Sequence, residues 1–539
     1  MRFGETRIDE AEGAILAHGL AVGDVSYKKG RVLSAADIAA CRAAGIVSII
    51  AARLEPGDVG EDAAAGRIGA AVTGAGLTAT AAFTGRVNLF AATRGLAVYD
   101  RALLDRINRM DEAVTVAALP PFAPVEPRQM VATVKIIPFA VPAATLTACM
   151  AAVEAAGGLF RVAPFAPHRA GLVQTVLPGT RDKVLDKTVE VLRGRMEAAG
   201  GTLDGEIRCA HNATDVAESV RAWLDRGCDM VLISGASAIT DRRDVVPSGI
   251  ELAGGTVEHF GMPVDPGNLM LLARRGTVPV VGLPGCVRSP KLNGFDWVLQ
   301  RLAANLPVTR DDIMAMGAGG LLTEIASRPL PRAEACAPAP LPRAPRIAAL
   351  ILAGGKSSRM GPRNKLLAEI GGKPMVAAVA DTVLASQASP VVAVVGHEAA
   401  RVRAALEGRR LRIVDNPDYA DGISTSLRAG LRALPADIDG ALICLGDMPR
   451  VTAAEINRLI AAFDPVEGRA ICVPTFAGKR GNPVLFARRF FAEMESVAGD
   501  VGARHLIGEA PDLVCEVEMA ESGVLLDVDT PQELAGLAE

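Results

Sequence analysis

Three groups of residues have types and spacing suited to chemistry on phosphates. The first is Leu352-Ala-Gly-Gly-Lys-Ser-Ser-Arg-Met-Gly-Pro-Arg-Asn-Lys-Leu-Leu367. Leu352 and Ala353 lead into a turn at Gly354 and Gly355, where the missing Cβ atoms let backbone N–H groups reach phosphate oxygens. Ser357 adds a hydroxyl, and Arg359 and Lys365 add the cations that a triphosphate needs. The run is neither a Walker loop nor a three-glycine dinucleotide fingerprint. The second group is acidic. Asp447 follows the apolar run Gly440-Ala-Leu-Ile-Cys-Leu445, so its carboxylate emerges at a strand end and suits a hard divalent cation; its structural alternative is a loop or helix-cap aspartate. Asp529 precedes Thr530-Pro-Gln-Glu533, a capping-box sequence with proline at the first helical position, and is a second candidate metal ligand. The third group comprises Ser234-Gly-Ala-Ser237, Asp244, Pro266-Gly267, Gly282-Leu-Pro-Gly285 and Ser289, where Gly235, Ser237, Pro284 and Gly285 mark small-residue turns that expose donors.

These residues must be held by strands and helices. After residue 346 short apolar runs alternate with helix-like segments, which reads as a largely parallel α/β sheet. The same alternation starts near residue 165: Leu185, Val189, Leu192 and Met196 recur at helical spacing, and the runs Met230–Ile233 and Val278–Val281 open onto the small-residue turns. Ligands of open α/β sheets bind beyond the carboxyl ends of strands, so the turns lie where a ligand would sit. Ser424, Ser426 and Arg428 stand where a glycine-containing loop enters a helix, a place suited to an anion, although Ser424 can equally serve as an N-cap. The first 165 residues are less regular. Prolines spaced through 327–345 deny that segment helix and sheet hydrogen bonds and mark a linker. The expected organisation is therefore an irregular N-terminal region (1–165), an α/β domain (166–326), the linker (327–345) and a second α/β domain (346–539).

Composition agrees. The chain has 539 residues, 50% hydrophobic but only 4% aromatic, which suits several globular domains and excludes collagen, disorder and a disulfide-built miniprotein. A net charge of −4 offers no general attraction for nucleic acid. The nine cysteines are scattered without a CxxC pair, which argues for reduced thiols and against zinc. The start of the chain lacks a basic, then apolar, leader, and no apolar run reaches the ~18–20 residues of a membrane helix. The expectation is a cytoplasmic enzyme without nucleic-acid or membrane partners.

The stretch 352–367 resembles the signature of the molybdenum cofactor cytidylyltransferases, in the MobA-like nucleotidyltransferase group. Asp415–Arg428, Leu445–Pro449, Gly481–Phe486, Gly499–Arg504 and Asp527–Pro531 follow in that family's order. The resemblance implies a Rossmann-like fold and Mg²⁺-assisted transfer of CMP from CTP to the terminal phosphate of molybdopterin, with Arg359, Lys365 and Asp447 as catalytic groups. It also implies nucleotide or pterin contacts at Ser424, Ser426 and Arg428. Such a transfer needs no covalent protein nucleophile, only alignment, a cation and relief of charge on pyrophosphate. Leu352-Ala-Gly-Gly355 is similar to guanylyltransferase relatives, whereas Lys365-Leu-Leu367 and Gly481–Phe486 look like the cytidylyl side, so CTP is expected ahead of GTP. Residues 166–326 resemble the molybdopterin-binding domain, which makes the third group pterin contacts. Three departures are Gly235-Ala-Ser-Ala238 in place of a Gly-Gly-Thr-Gly or Gly-Gly-Val-Ser run, a spacing to the Asp that is one residue longer, and Cys286 in place of Asn. Residues 1–165 look distantly like the auxiliary region of molybdenum-insertion proteins. A recipient molybdoenzyme or its chaperone is the implied protein partner. The alternatives are a guanylyltransferase of the same pathway, a sugar-phosphate nucleotidyltransferase and a non-catalytic molybdopterin-binding chaperone.

Overall fold

The structure, a computed structural model, describes residues 1–23, 25–322, 343–355, 364–496, 503–528 and 530–535. The segments 327–342, Ser357, Arg359, Asp529 and most of the Gly499–Arg504 motif lie outside the described residues.

The C-terminal sheet grows from Ile347–Ala353, whose seven residues are all buried, as a central parallel strand covered on both faces must be. Its strands run in the order Arg412–Asp415, Val391–Val395, Ile347–Ala353, Gly440–Leu445, Val484–Ala487, Ile471–Phe476, with Lys479–Arg480 and Val514–Glu518 both pairing with Ile471–Phe476. The first four are mutually parallel, and Val484–Ala487 runs against both of its neighbours. The chain steps outward from Ile347–Ala353 in one direction and then returns to Gly440–Leu445 on its other side. That reversal leaves a crevice at the carboxyl ends of the two strands.

The middle sheet repeats the device. Its order is Thr202–Ala210, Arg169–Val176, Met230–Ser234, Val278–Leu283, Leu271–Arg275, Thr256–Phe260. The first four are parallel and the last two antiparallel. Gly171 shows how closely its helices pack: a Cβ there would fall 2.2 Å from Trp223, whose indole lies on the strand and donates to the Leu172 carbonyl at 3.0 Å. The helix Asp182–Ala198 takes the expected Leu185, Leu192 and Met196 into the core.

The N-terminal region takes the form of small antiparallel sheets rather than one large one. Val114–Ala118, Met130–Ile136, Arg86–Ala91 and Leu77–Ala79 form the largest, and the helices Glu61–Val72 and Ala143–Ala155 share its apolar core. The region touches both sheets' surroundings: Arg128 pairs with Asp439 at 3.2 Å, Lys28 donates to the Val514 carbonyl at 3.4 Å, and Arg301 lies 3.8 Å from the Phe122 ring centroid. Among the described residues no helix is long and apolar enough to cross a membrane.

One ion pair braces a whole loop. Arg195 and Asp296, with side chains only 9% and 11% exposed, meet at 2.5 Å, and the same guanidinium donates to the carbonyls of Val287, Ser289 and Lys291. Breaking a buried pair leaves an uncompensated charge, so Arg195→Met should cost about 3–5 kcal/mol. The check is a lower urea midpoint for the middle domain with faster amide exchange over 285–291; an unchanged midpoint would refute the bracing role. Among the described residues the C-terminal core is built almost wholly from positions after 346, with only Phe83 packed onto it from elsewhere. Residues 346–539 alone should therefore unfold cooperatively in circular dichroism, at a lower temperature than in the full chain for want of Arg128. A non-cooperative melt would contradict this.

Candidate active site

Backbone geometry brings the glycine turn and Asp447 together. The Gly446 N–H donates to the Leu352 carbonyl at 3.1 Å, so the residues leaving Ile347–Ala353 and Gly440–Leu445 share one edge. Leu352 and Ala353 are buried, and their backbone is paired within the sheet, so the turn proper begins at Gly354. Gly355 is exposed, and a Cβ added there would meet nothing within 4 Å. Lys365 crosses to this edge and places Nζ 2.5 Å from Asp447 Oδ2; the two side chains are 14% and 17% exposed. Asp447 Oδ1 is buried and accepts no hydrogen bond from the described residues. The Asp447 carbonyl accepts from Val528 N–H at 3.1 Å, which draws the residue before Asp529 to the same place. The capping box beyond it forms as expected, with Thr530 N–H donating to Glu533 Oε2 at 2.9 Å and Glu533 N–H to Thr530 Oγ1 at 3.3 Å. Among the described residues no three His, Cys, Asp or Glu gather into a complete metal site.

Gly354 is held from behind. A Cβ on it would lie 2.9 Å from Ser426 Oγ, so a larger residue would push the turn off its support. Asn416, which is buried, uses its amide to donate to Ser426 Oγ and Thr425 Oγ1, both at 2.9 Å. Ser424 and Ser426 are themselves buried in the helix Ile423–Arg432, whose N-cap is Gly422 at φ 111°, so the N-cap alternative for Ser424 does not hold. Arg428 directs Nε to the Glu495 carbonyl at 2.9 Å. A small cleft beside Met448 is lined by Val379, Val383, Leu445, Ile456 and other mainly apolar groups. It carries no cation to neutralise a triphosphate, and burial pushes the thiol of its Cys444 up to about 12.

In the middle domain the strand ends converge in the same way. Ser237 lies just beyond Met230–Ser234, His211 just beyond Thr202–Ala210, and Thr175 near the end of Arg169–Val176. Ser237 Oγ is 2.9 Å from His211 Nε2, and His211 Nδ1 is 2.8 Å from Thr175 Oγ1. Gly235 allows the tight loop, since a Cβ there would meet the Ser237 carbonyl at 2.8 Å. Arg288 reaches the Gly235 carbonyl at 3.5 Å, and its buried Nε has no partner among the described residues. Gly285 faces open space. Other expected contacts serve the fold. Asp244 caps the helix Val245–Leu252: Oδ1 accepts from Val245 N–H at 2.8 Å and Oδ2 from Thr240 N–H at 3.2 Å. The Pro266 carbonyl accepts from Gly294 N–H at 2.8 Å, and Gly267 packs so closely on Gly294 that a Cβ would be 2.8 Å from its nitrogen. Gly282 lies inside Val278–Leu283 against Ile239, Pro284 precedes the helical turn Gly285–Arg288, and Ser289 Oγ accepts from Lys291 N–H at 3.3 Å.

Asn416, Thr175, His211, Arg195 and Arg288 escaped the reading of the sequence. For Thr175 and His211 a usable signal existed, because both stand at ends of strand-like runs. Arg195 carried none, since its partners lie 92–101 residues away.

Comparison with known proteins agrees with this geometry. Residues 349–514 match the MobA-like NTP transferase domain, 173–304 the probable molybdopterin binding domain, and 5–53 a domain of unknown function, DUF8806. The chain is 29% identical over 195 residues to nicotine blue oxidoreductase of Paenarthrobacter nicotinovorans, covering 35% of this chain and 95% of that protein. It is 38% identical over 120 residues to the bifunctional protein GlmU of Leifsonia xyli subsp. xyli, covering 22% of this chain and only 24% of that protein. Among solved structures it is similar to Rv0371c from Mycobacterium tuberculosis H37Rv, at 28% identity and a TM-score of 0.33, covering 36% of this chain and 98% of that one. With the two strand-end sites on separate sheets, these matches identify the C-terminal part of the chain as a MobA-like NTP transferase domain and the middle part as a molybdopterin-binding domain, preceded by a DUF8806 segment.

Proposed function

We propose that the protein transfers CMP from CTP to the terminal phosphate of molybdopterin, producing molybdopterin cytosine dinucleotide and pyrophosphate. The observation that carries this reading is the union in one chain of a MobA-like NTP transferase domain and a molybdopterin-binding domain. Tethering raises the effective concentration of the second substrate at the transferase and limits its escape. The choice of CTP over GTP rests on Lys365-Leu-Leu367 and Gly481–Phe486, against the guanylyl-like Leu352-Ala-Gly-Gly355.

In this reading the backbone of Gly354 and Gly355 cradles the triphosphate, and Lys365 turns from Asp447 to its oxygens. Ser357 and Arg359 join from the same loop. Asp447 fits a divalent cation, because its buried Oδ1 has no partner among the described residues and would gain one when a cation binds. With Asp529 it would hold Mg²⁺, which supplies neutralisation of the charge on the α-phosphate and leaving pyrophosphate. Ser424, Ser426 and Arg428 keep the turn and its flank in place, and the middle domain presents the pterin through Gly235, Ser237 and Gly285. A cytoplasmic molybdoenzyme or its chaperone would take the product.

A redox role is the second reading, favoured by the similarity to a protein named as an oxidoreductase over its nearly full length. The two separate when the purified protein is incubated with molybdopterin, Mg²⁺ and each nucleoside triphosphate while pyrophosphate and dinucleotide are measured. CTP-dependent product is expected. Product with GTP alone would overturn the base assignment, and no product with any nucleotide would favour the redox or chaperone readings.

Substitutions test the division of labour. Asp447→Asn should lower kcat about 10²–10³-fold while leaving pterin binding intact, because charge stabilisation is greatest in the transition state. Lys365→Ala should raise the nucleotide KM as well as lower kcat. Asp244→Ala should cost about 1 kcal/mol as a lost helix cap and weaken pterin retention, with nucleotide KM unchanged at saturating pterin. Near-normal turnover in Asp447→Asn would place the cation elsewhere.

A further inference from the structure

The Thr175–His211–Ser237 chain has a direction, and it is set by its buried end. Thr175 is 1% exposed. Its hydroxyl oxygen accepts from the Ala236 N–H at 2.7 Å, so its single hydrogen needs an acceptor, and the neighbour within reach is His211 Nδ1 at 2.8 Å. Leaving that buried hydrogen unpaired would carry a desolvation cost. His211 Nδ1 therefore accepts, the ring proton sits on Nε2, and Nε2–H donates to Ser237 Oγ at 2.9 Å. A serine oxygen that accepts the ring N–H must point its own hydrogen away from the ring. Ser237 is exposed, so that hydrogen faces the ligand side.

This is the reverse of a nucleophile-activating serine and histidine, in which the serine hydrogen goes to the ring. The charge around the loop matches it. Arg288 stands against the Gly235 carbonyl with a buried Nε that has no partner among the described residues, while both acids of the loop are engaged, Asp244 by the Thr240 and Val245 N–H groups and Asp241 by the Arg243 N–H and guanidinium. We propose that Thr175 and His211 are positioning residues that lock Ser237 as a hydrogen-bond donor to an anionic phosphoryl oxygen of the ligand held by the middle domain. The assignment rests on reading that domain as the pterin site and adds how its loop recognises a phosphate.

Histidine ring nitrogens labelled with ¹⁵N in the full chain report the tautomer directly, with His211→Gln assigning the signal among the six histidines. The expected result is a protonated Nε2 and a bare Nδ1 in the unliganded protein. A protonated Nδ1 would overturn the relay, whatever the domain binds. Thr175→Val, close in shape but without the hydroxyl, should give a mixture of tautomers; a spectrum identical to that of the parent would also refute the relay. Inorganic phosphate is the ligand probe. Titration should shift the His211 signals saturably, and Ser237→Ala and Thr175→Val should each weaken binding about three- to tenfold. The double variant should lose no more than Ser237→Ala alone, because both act through one hydroxyl. No saturable shift, or normal binding in Ser237→Ala, would overturn the phosphate assignment, and with it the use of this loop for the pterin, while leaving the tautomer result standing.

Discussion

Parallel strands expose their carboxyl ends on one edge, and the crossover helices that cover a sheet's faces leave that edge open wherever the winding direction reverses. This constraint governs both large sheets. Ile347–Ala353 has one parallel neighbour reached early and another reached late, and Arg169–Val176 has the same arrangement with Thr202–Ala210 and Met230–Ser234. Each sheet thus has a crevice at that edge, bordered by the residues that follow its central strands. The glycines, hydroxyls and charges of each site are held by this shared edge. Without the reversal, Gly354 and Asp447 would leave strands that are not neighbours.

The two edges solve the problem of holding an anion differently. At the C-terminal edge a cation and an acid neutralise each other at 2.5 Å, with one acid oxygen left unpaired and a glycine turn supported by the Asn416–Ser426 contact. Both charged groups can change partners when a nucleotide and a cation enter. At the middle edge Asp244 is committed to backbone N–H groups and Asp241 to Arg243, while the Ser237 hydroxyl and the Arg288 guanidinium stand at the loop. A small neutral donor backed by a buried chain is rigid, whereas a long lysine is not. The first arrangement suits chemistry in which charge moves, and the second suits holding a substrate still.

The N-terminal region connects them. Its sheets keep apolar cores of their own, and Arg128 reaches Asp439, which also accepts from Arg343 at 2.9 Å and from the Arg346 N–H at 2.7 Å. Three donors on one carboxylate tie the start of the C-terminal sheet to the N-terminal region. On the other side, Leu96, Ala163 and Ala304 share a small core. Both attachments leave the strand carboxyl ends uncovered.

Much of this protein was legible in its residues before any coordinates. All-apolar runs such as Ile347–Ala353 fit only a strand buried on both faces. The capping box at Thr530–Glu533 announced its own helix, and the glycine, lysine and aspartate spacing pointed to phosphate chemistry because those side chains have few other uses at strand ends. Local pattern could not decide which acids remain available to a ligand. Asp244 and Asp447 look alike in sequence, yet Asp244 accepts two backbone N–H groups within its own turn and Asp447 meets Lys365 from 82 residues away. Nor could it order a hydroxyl hydrogen, since the chain from Thr175 through His211 to Ser237 joins three strands, and its direction depends on the burial of Thr175. Periodicity and capping are set by neighbours within a few residues and are written in sequence. Pairing and burial of polar atoms are set by strand order, and only the folded chain brings those partners within reach.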